Sequence, residues 1–415
     1  MAHELRDAAI VGREVASTHF SRRDARLVIL AIGVVLLDGL AFSIMNYLAP
    51  AITRDWLLAP TTLGSTFGVA MAGWAIGSAL GGVAGDRFGR RATVAVLLAI
   101  FGLLTCATAS AASVPLLLML RFATGVAAGG TTPIVLALLS VHGTQRWRPA
   151  MITAAIVAVP LGGAIAGLLS ALFLADAGWR VLFILSGVPA ILFAPLLFRL
   201  LAPEAGSATH SSVDPGHPRA LFAQGYRANT LSLWLMGVMN MFLFGFLISW
   251  LPTLFTLAGL DARSASLYAS LFELSGVAGC AIVGTMALRW EPARMLLVIF
   301  PLGGVAAALI GSTIHVGSAL LLCLIVAGFC TNGAAMGGNY LATILYPPSV
   351  RSIGIGWAMA IGRIGAIIGP VAGGVLVGWH VPPALLFTLF AMTAFVAALA
   401  SWYLARCNRR LRSCA

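Results

Sequence analysis

Four ionisable side chains other than histidine stand inside long apolar runs: Asp38 in VVLLDGLAFSIMNYLAP, Arg121 in RFATGVAAGG, Glu273 in LFELSGVAG and Arg363 in AIGRIGAIIGP. Two acids and two bases can divide the chemistry of carrying an anion. A guanidinium stays charged and presents a planar fork to a carboxylate, whereas a buried Asp or Glu exchanges a proton as its surroundings alternate between wet and dry. A charge facing hydrocarbon costs several kcal/mol, so each of the four must face a watery cavity or a partner. Asp38 is tolerable if its helix lines a central cavity where arginines balance it. The pattern suits cotransport of an organic anion with protons, and it also fits standing ion pairs that only fix helix packing.

The elements that must position these groups are membrane helices. The 415 residues are 60% hydrophobic and 9% charged, with a mean hydropathy of +0.99, and a bilayer core of about 30 Å takes roughly 20 apolar residues per helix. Such runs fall near 27–50, 63–85, 93–111, 115–140, 150–174, 180–201, 230–256, 266–288, 294–313, 317–345, 352–378 and 382–405. This predicts an all-α membrane protein of twelve spans. Every one of the 25 basic residues is arginine. With the N-terminus inside, all but Arg54, Arg180 and Arg263 fall on cytoplasmic segments or inside spans. That is the positive-inside bias; the net charge of +12 therefore meets an anionic leaflet, not nucleic acid. SRRDARLVIL reads as the basic anchor of the first span, not as a cleaved export signal. The cysteines lack CxxC spacing, so no metal, cofactor or disulfide framework is expected. Absence of lysine and abundance of Ala, Gly and Arg match a GC-rich bacterial genome, which would make the site the inner (plasma) membrane, with both termini cytoplasmic.

The polar stretch PEAGSATHSSVDPGHPRALFAQGYRAN divides the runs six and six. The expected layout is a tail over 1–26, one half over 27–201, a linker over 202–229, a second half over 230–405 and a tail over 406–415. An offset of 202 residues lays Pro50 on Pro252, Gly77 and Gly82 on Gly279 and Gly284, and Asp38 on Asn240. One offset serving separate helix pairs favours a duplicated six-helix unit, an architecture of transporters. Pro160 with Gly162 and Gly163, and Pro370 with Gly373 and Gly374, read as matching bends and hinge candidates.

The most specific motif is GGVAGDRFGRR, residues 81 to 91. Gly82 and Gly89 suit close helix approach and a tight turn, and Asp86 can offer its carboxylate to a helix N-terminus or to an arginine across the two halves. With Arg87 and Arg90 this loop is the expected conformational gate. The second half has Leu288 in place of the acid, so any such gate is asymmetric.

This loop resembles the signature of the major facilitator superfamily. Asp38-Gly39, RFATGVAAGG, ISWLPTL and GIGWAMAIGRIGAIIGP make the chain similar, more narrowly, to the aromatic acid/H⁺ symporters. That resemblance implies import of benzoate-like or related ring-cleavage acids with protons by a chain working as a monomer. The family's helix-one pattern Asp-Gly-x-Asp maps its first acid onto Asp38, but the second is Ala41, and Val141-His142 stands where an acid is usual. Glu273 is the candidate replacement proton site; the alternative is uncoupled diffusion. Arg121, Arg363, Asn240, Asn332, Asn339, Tyr340 and Trp357 are the expected substrate contacts, with Met45, Phe244 and Met336 as further apolar candidates. Efflux of drugs or metabolites by the same fold is the competing reading, opposed by the two arginines. No HExxH, GxSxG or paired carboxylates mark an enzyme, and His142, His315 and His380 read as loop or span-end residues.

Overall fold

A computed structural model describes residues 20–142, 144, 146–201, 221–222, 227–346 and 350–413. Residues 1–19, most of the expected linker and Cys414 lie outside the described residues. Among the described residues, eleven helices are long and apolar enough to cross a membrane: α1 (Arg22–Trp56), α2 (Pro60–Phe88), α3 (Arg90–Thr108), α4 (Val114–His142), α5 (Arg148–Leu200), α6 (Arg227–Leu257), α7 (Ala262–Met286), α8 (Pro292–Thr313), α9 (Gly317–Leu345), α10 (Arg351–Gly378) and α11 (Pro383–Ser413). Helix is the form these runs must take in lipid, because it satisfies every backbone group within the segment. The ends are set by local chemistry. Ser21 caps α1 in a capping box with Asp24. Asp24 also accepts from the Thr144 amide and hydroxyl at 3.0 and 2.6 Å, tying the start of α1 to the turn between α4 and α5. Asp261 caps α7 by accepting from the Ser264 amide, a bond that holds its carboxyl below the usual carboxylate range.

Two expected spans, 150–174 and 180–201, form the single 53-residue element α5. At about 1.5 Å per residue it is roughly 80 Å long, far more than one bilayer crossing. Gly178 breaks it with φ 74° and ψ 165°, a left-handed region open to glycine. Just beyond, Trp179 Nε1 donates to Asp55 Oδ2 at 2.7 Å, pinning the bend to the end of α1. His142, expected in a loop, is the last residue of α4.

The halves meet along α2–α10, α5–α7 and α1–α6. The first two seams exchange roles under the 202-residue offset, which carries the second span to the eighth and the fifth to the eleventh. The α2–α10 seam is uneven along its length. Near the Pro60 end, a Cβ on Gly64 would strike the Pro370 carbonyl at 2.8 Å, and one on Gly374 would strike the Pro60 carbonyl at 2.6 Å. Five turns away on the same two faces lie Gly82 and Gly356. A Cβ on either would meet none of the described residues within 4 Å. The halves therefore close at the end bearing Trp56 and Pro60, and part toward the end bearing Arg87, Arg90, Arg148 and Arg351.

Candidate functional site

Asp38 lies midway along α1 and is 5% exposed. Its Oδ2 accepts from the hydroxyls of Thr131 and Thr132 on α4, at 3.2 and 3.1 Å. Among the described residues its buried Oδ1 has no hydrogen-bond partner. Arg363 of α10, from the other half, acts on it electrostatically. The Arg363 guanidinium carbon lies over the Trp74 indole of α2, 3.6 Å from the ring centroid, and among the described residues its buried Nη1 has no hydrogen-bond partner. Trp74 is held where α4 presents Gly125 and Gly129 to its backbone; Phe42 leans on the same indole at 6.5 Å. The middle of the molecule thus combines a carboxylate with one open oxygen, a fork with one open nitrogen and an aromatic face. A flat anion and a proton both find partners there.

Asn240, the offset equivalent of Asp38, donates its Nδ2 to the Thr331 carbonyl of α9 at 3.3 Å. Asp38 thus bonds to α4 and Asn240 to α9.

Glu273 is 2% exposed and faces α5: a Cβ on Gly163 would touch its carboxyl at 2.7 Å and the Ser43 hydroxyl at 3.1 Å. Oε1 has no partner. Among the described residues no cation acts on this carboxyl. It stands apart from Asp38, on the α5–α7 seam.

Arg121 is 2% exposed. Its Nη2 donates to Thr108 at 2.7 Å and Thr124 at 3.3 Å, and its guanidinium sits 5.1 Å from the Phe183 ring centroid. It does not balance Asp38 as the sequence reading expected, because its fork is held by the third, fourth and sixth spans inside one half. It lines a small cavity with Phe42, Met45, Asn46, Phe67, Met71, Thr124 and Ser249.

The other expected contacts disperse. Asn332 is buried between α9 and α7, donating to its own helix at Gly328 and facing Gly276. Asn339 is exposed, Tyr340 packs at the edge of the second half's core, and Met336 reaches toward Gly284. Phe244 packs against the main core. Trp357 stacks on Trp234, centroids 6.1 Å apart, at the arginine-rich end. The sequence reading missed Trp74, Thr131 and Thr132 as partners of the central charges, and missed Asn46 and Ser249. The polar pair within GGTTP was the available signal for the threonines.

In the Asp86 loop, Gly89 turns the chain at φ 85°. Asp86 does not reach across the halves: Arg90 donates to it from Nη2 at 3.0 Å, linking α2 to the start of α3. Arg87 lies 5.6 Å from the ring of its neighbour Phe88. Gly82 faces open space, and the close approach to α4 falls instead to Gly81 against Gly130.

Packed membrane-length helices around a buried acid and an arginine define a multi-pass membrane protein. The Major Facilitator Superfamily profile matches residues 31–316. The chain belongs to that superfamily, and it is a transporter and not an enzyme. It is 32% identical to a gallate transporter of Pseudomonas putida, over 93% of this chain and 92% of that one. It is 32% identical to a 4-hydroxybenzoate transporter of Pseudomonas aeruginosa over 85% and 86%, and 30% identical to a 3-(3-hydroxy-phenyl)propionate transporter of Escherichia coli over 92% and 94%. Among solved structures, a bacterial homolog of the human lysosomal transporter Spinster, inward-facing and occupied, superposes with a TM-score of 0.76 at 17% identity, covering 94% of this chain and 98% of that one. A D-xylose-proton symporter gives 0.72 at 16% identity, covering 91% and 96%.

Proposed function

We propose that this protein imports an aromatic carboxylic acid with protons by alternating access across a bacterial inner membrane, as a monomer needing no cofactor. The observation that carries the reading is the Asp38–Arg363–Trp74 constellation where the two halves meet. The guanidinium, backed by the Trp74 indole, takes the acid's carboxylate, and protonation of Asp38 frees Arg363 to do so. Relatives that carry gallate and hydroxybenzoates support the substrate class. Counting the arms of α5 on either side of Gly178 separately gives twelve spans in two halves of six. The arginine-rich end is cytoplasmic by the positive-inside rule, which places both termini inside. The closed end is then the outer one, and the conformation is inward-facing. Glu273 is the second proton site, standing in for the acid replaced by Ala41; Ala41 itself is fully buried in the core.

The test is uptake of radiolabelled benzoate, 4-hydroxybenzoate and gallate into proteoliposomes, with and without an inward proton gradient. Wild-type uptake of at least one acid should rise with the gradient. Asp38→Asn should lose that response while still exchanging labelled for unlabelled acid. Gradient-driven uptake that survives in Asp38→Asn would move the coupling away from Asp38. Uptake that ignores the gradient in the wild type would mark facilitated diffusion instead.

The Asp86 loop is proposed as the gate that closes the cytoplasmic side in the other state, with Gly82, Arg87, Gly89 and Arg90. Its Asp86–Arg90 pair is solvent-exposed, and such pairs contribute roughly 0–1 kcal/mol to stability. Asp86→Asn should therefore leave thermal unfolding nearly unchanged yet slow uptake by about tenfold or more. A parallel loss of stability and transport would show that the loop only holds the fold.

A further inference from the structure

Arg121 is the buried cation for which the central site has no use. It is 98% buried by its 2% exposure, and among the described residues no carboxylate acts on it. Among the described residues, three buried side-chain atoms lining this cavity have no hydrogen-bond partner: Arg121 Nε, Asn46 Nδ2 and Ser249 Oγ. These come from α4, α1 and α6, so both halves contribute. Phe42 and Phe67 supply aromatic wall, and Met45 and Met71 supply adaptable apolar wall. Nε of a guanidinium together with an amide N–H and a hydroxyl is a donor set for a carboxylate. In the present conformation the space holds about one water molecule.

The cavity's place in the fold says when it would enlarge. Asn46 lies two turns beyond Asp38 along α1, roughly 12 Å toward the closed end. Ser249 precedes Trp250, whose Nε1 donates to the Pro370 carbonyl at 2.9 Å and whose ring meets Phe67 edge-on at 5.8 Å. Phe67 lines the cavity, so this contact stands beside it near the closed Gly64–Gly374 seam. Parting this seam moves the Ser249 wall away from the walls on α1, α2 and α4. Phe42 lines the cavity and also leans on Trp74, so it divides this space from the Arg363 site.

We propose that Arg121, Asn46 and Ser249 form a second carboxylate seat, loaded from the now-closed face when the halves part there, which hands the acid past Phe42 to Arg363. The proposal rests on the aromatic-acid reading above and adds a site to it. The simpler role for Arg121, clamping the third, fourth and sixth spans through Thr108 and Phe183, needs neither Asn46 nor Ser249.

Membrane vesicles of both orientations carrying the full chain provide the test. Asn46→Ala, alone and with Ser249→Ala, should raise KM for 4-hydroxybenzoate about tenfold or more from the closed-end face, the range expected when hydrogen bonds to a charged group are lost. From the arginine-rich face KM should change less than about twofold. Equal changes from both faces, or none, would overturn the seat. A second arm stays informative even if no tested acid is transported. Asn46→Cys should react with a membrane-impermeant thiol reagent applied at the closed-end face, above the wild-type background from its own cysteines, and benzoate should slow that reaction while chloride does not. No labelling from that face, no protection, or equal protection by chloride would each count against a carboxylate seat. Failure of transport with benzoate protection intact would overturn the import reading and leave the seat standing.

Discussion

Arg363→Ala removes uptake almost entirely, while Arg363→Lys retains charge and still loses most of it. Losing a hydrogen bond to a charged group costs about 1.5–3 kcal/mol, equivalent to roughly 10- to 150-fold in rate. Two losses add here. The acid's carboxylate loses its fork, and Asp38 loses the cation that acts on it while its Oδ1 stays buried and unpartnered. Lysine repairs the charge only. It cannot reproduce the planar guanidinium over the Trp74 indole or offer two parallel donors, and uptake should remain about tenfold down. The check is initial uptake normalised to protein in the membrane, with thermal unfolding measured alongside. Adding Asp38→Asn to Arg363→Ala should recover stability but not transport, because the double variant no longer buries an unpaired carboxylate. If stability fails to recover, the two charges are not coupled; if Arg363→Lys transports like wild type, the fork is not what holds the substrate.

What the sequence could show was set by how local each signal is. Apolar runs of membrane length report on single helices, so an all-helical membrane fold and most of its span positions were legible. The four intramembrane charges were legible as well, because each is costly wherever its helix packs. Their partners were not. Helical periodicity says which residues share a face but not what the face meets, and so Asn332 turned out to serve the packing of α9 on α7 and Trp357 to stack on Trp234. Trp74 sits in the glycine-rich run VAMAGWAIGSALGG, where an aromatic residue reads as packing; only the arrival of Arg363 from the other half gives it a charge to hold. The two arginines looked equivalent in sequence and are not. Arg363 stands across the seam from Asp38, whereas Arg121 is clamped within one half beside its own cavity. The Asp86 motif was legible as a turn through Gly89, but its ion pair proved local, since Arg90 lies one turn beyond the acid and competes with any partner across the halves. The join of the fifth and sixth runs through Gly178 depends on one residue's dihedral angles, which no hydropathy pattern carries.

The alternation of open and closed ends can be tested on one helix with one kind of substitution. Gly374→Val places methyl groups where the seam is already closed, against the Pro60 carbonyl at 2.6 Å and the Gly64 backbone at 3.0 Å. Overpacking of this kind costs about 1–3 kcal/mol, and it acts on the present state alone, because parting the seam relieves it. The equilibrium should move toward opening at that end by roughly five- to 150-fold. Gly356→Val lies five turns away on the same face and meets nothing within 4 Å in the present state. It should leave this state untouched and instead obstruct the approach of α10 to Gly82 when the arginine-rich end closes. Both variants should slow transport, since a carrier must visit both states, yet they should shift accessibility in opposite directions. With a cysteine at Ser249, Gly374→Val should raise its labelling from the closed-end face and Gly356→Val should lower it. Parallel shifts would mean that the two ends of the α2–α10 seam do not exchange, and the rocking of the halves about the Arg363 site would have to be abandoned. Opposite shifts would tie the direction of opening to the seam that holds Trp74 against Arg363, and so link the conformational change to the group proposed to carry the acid.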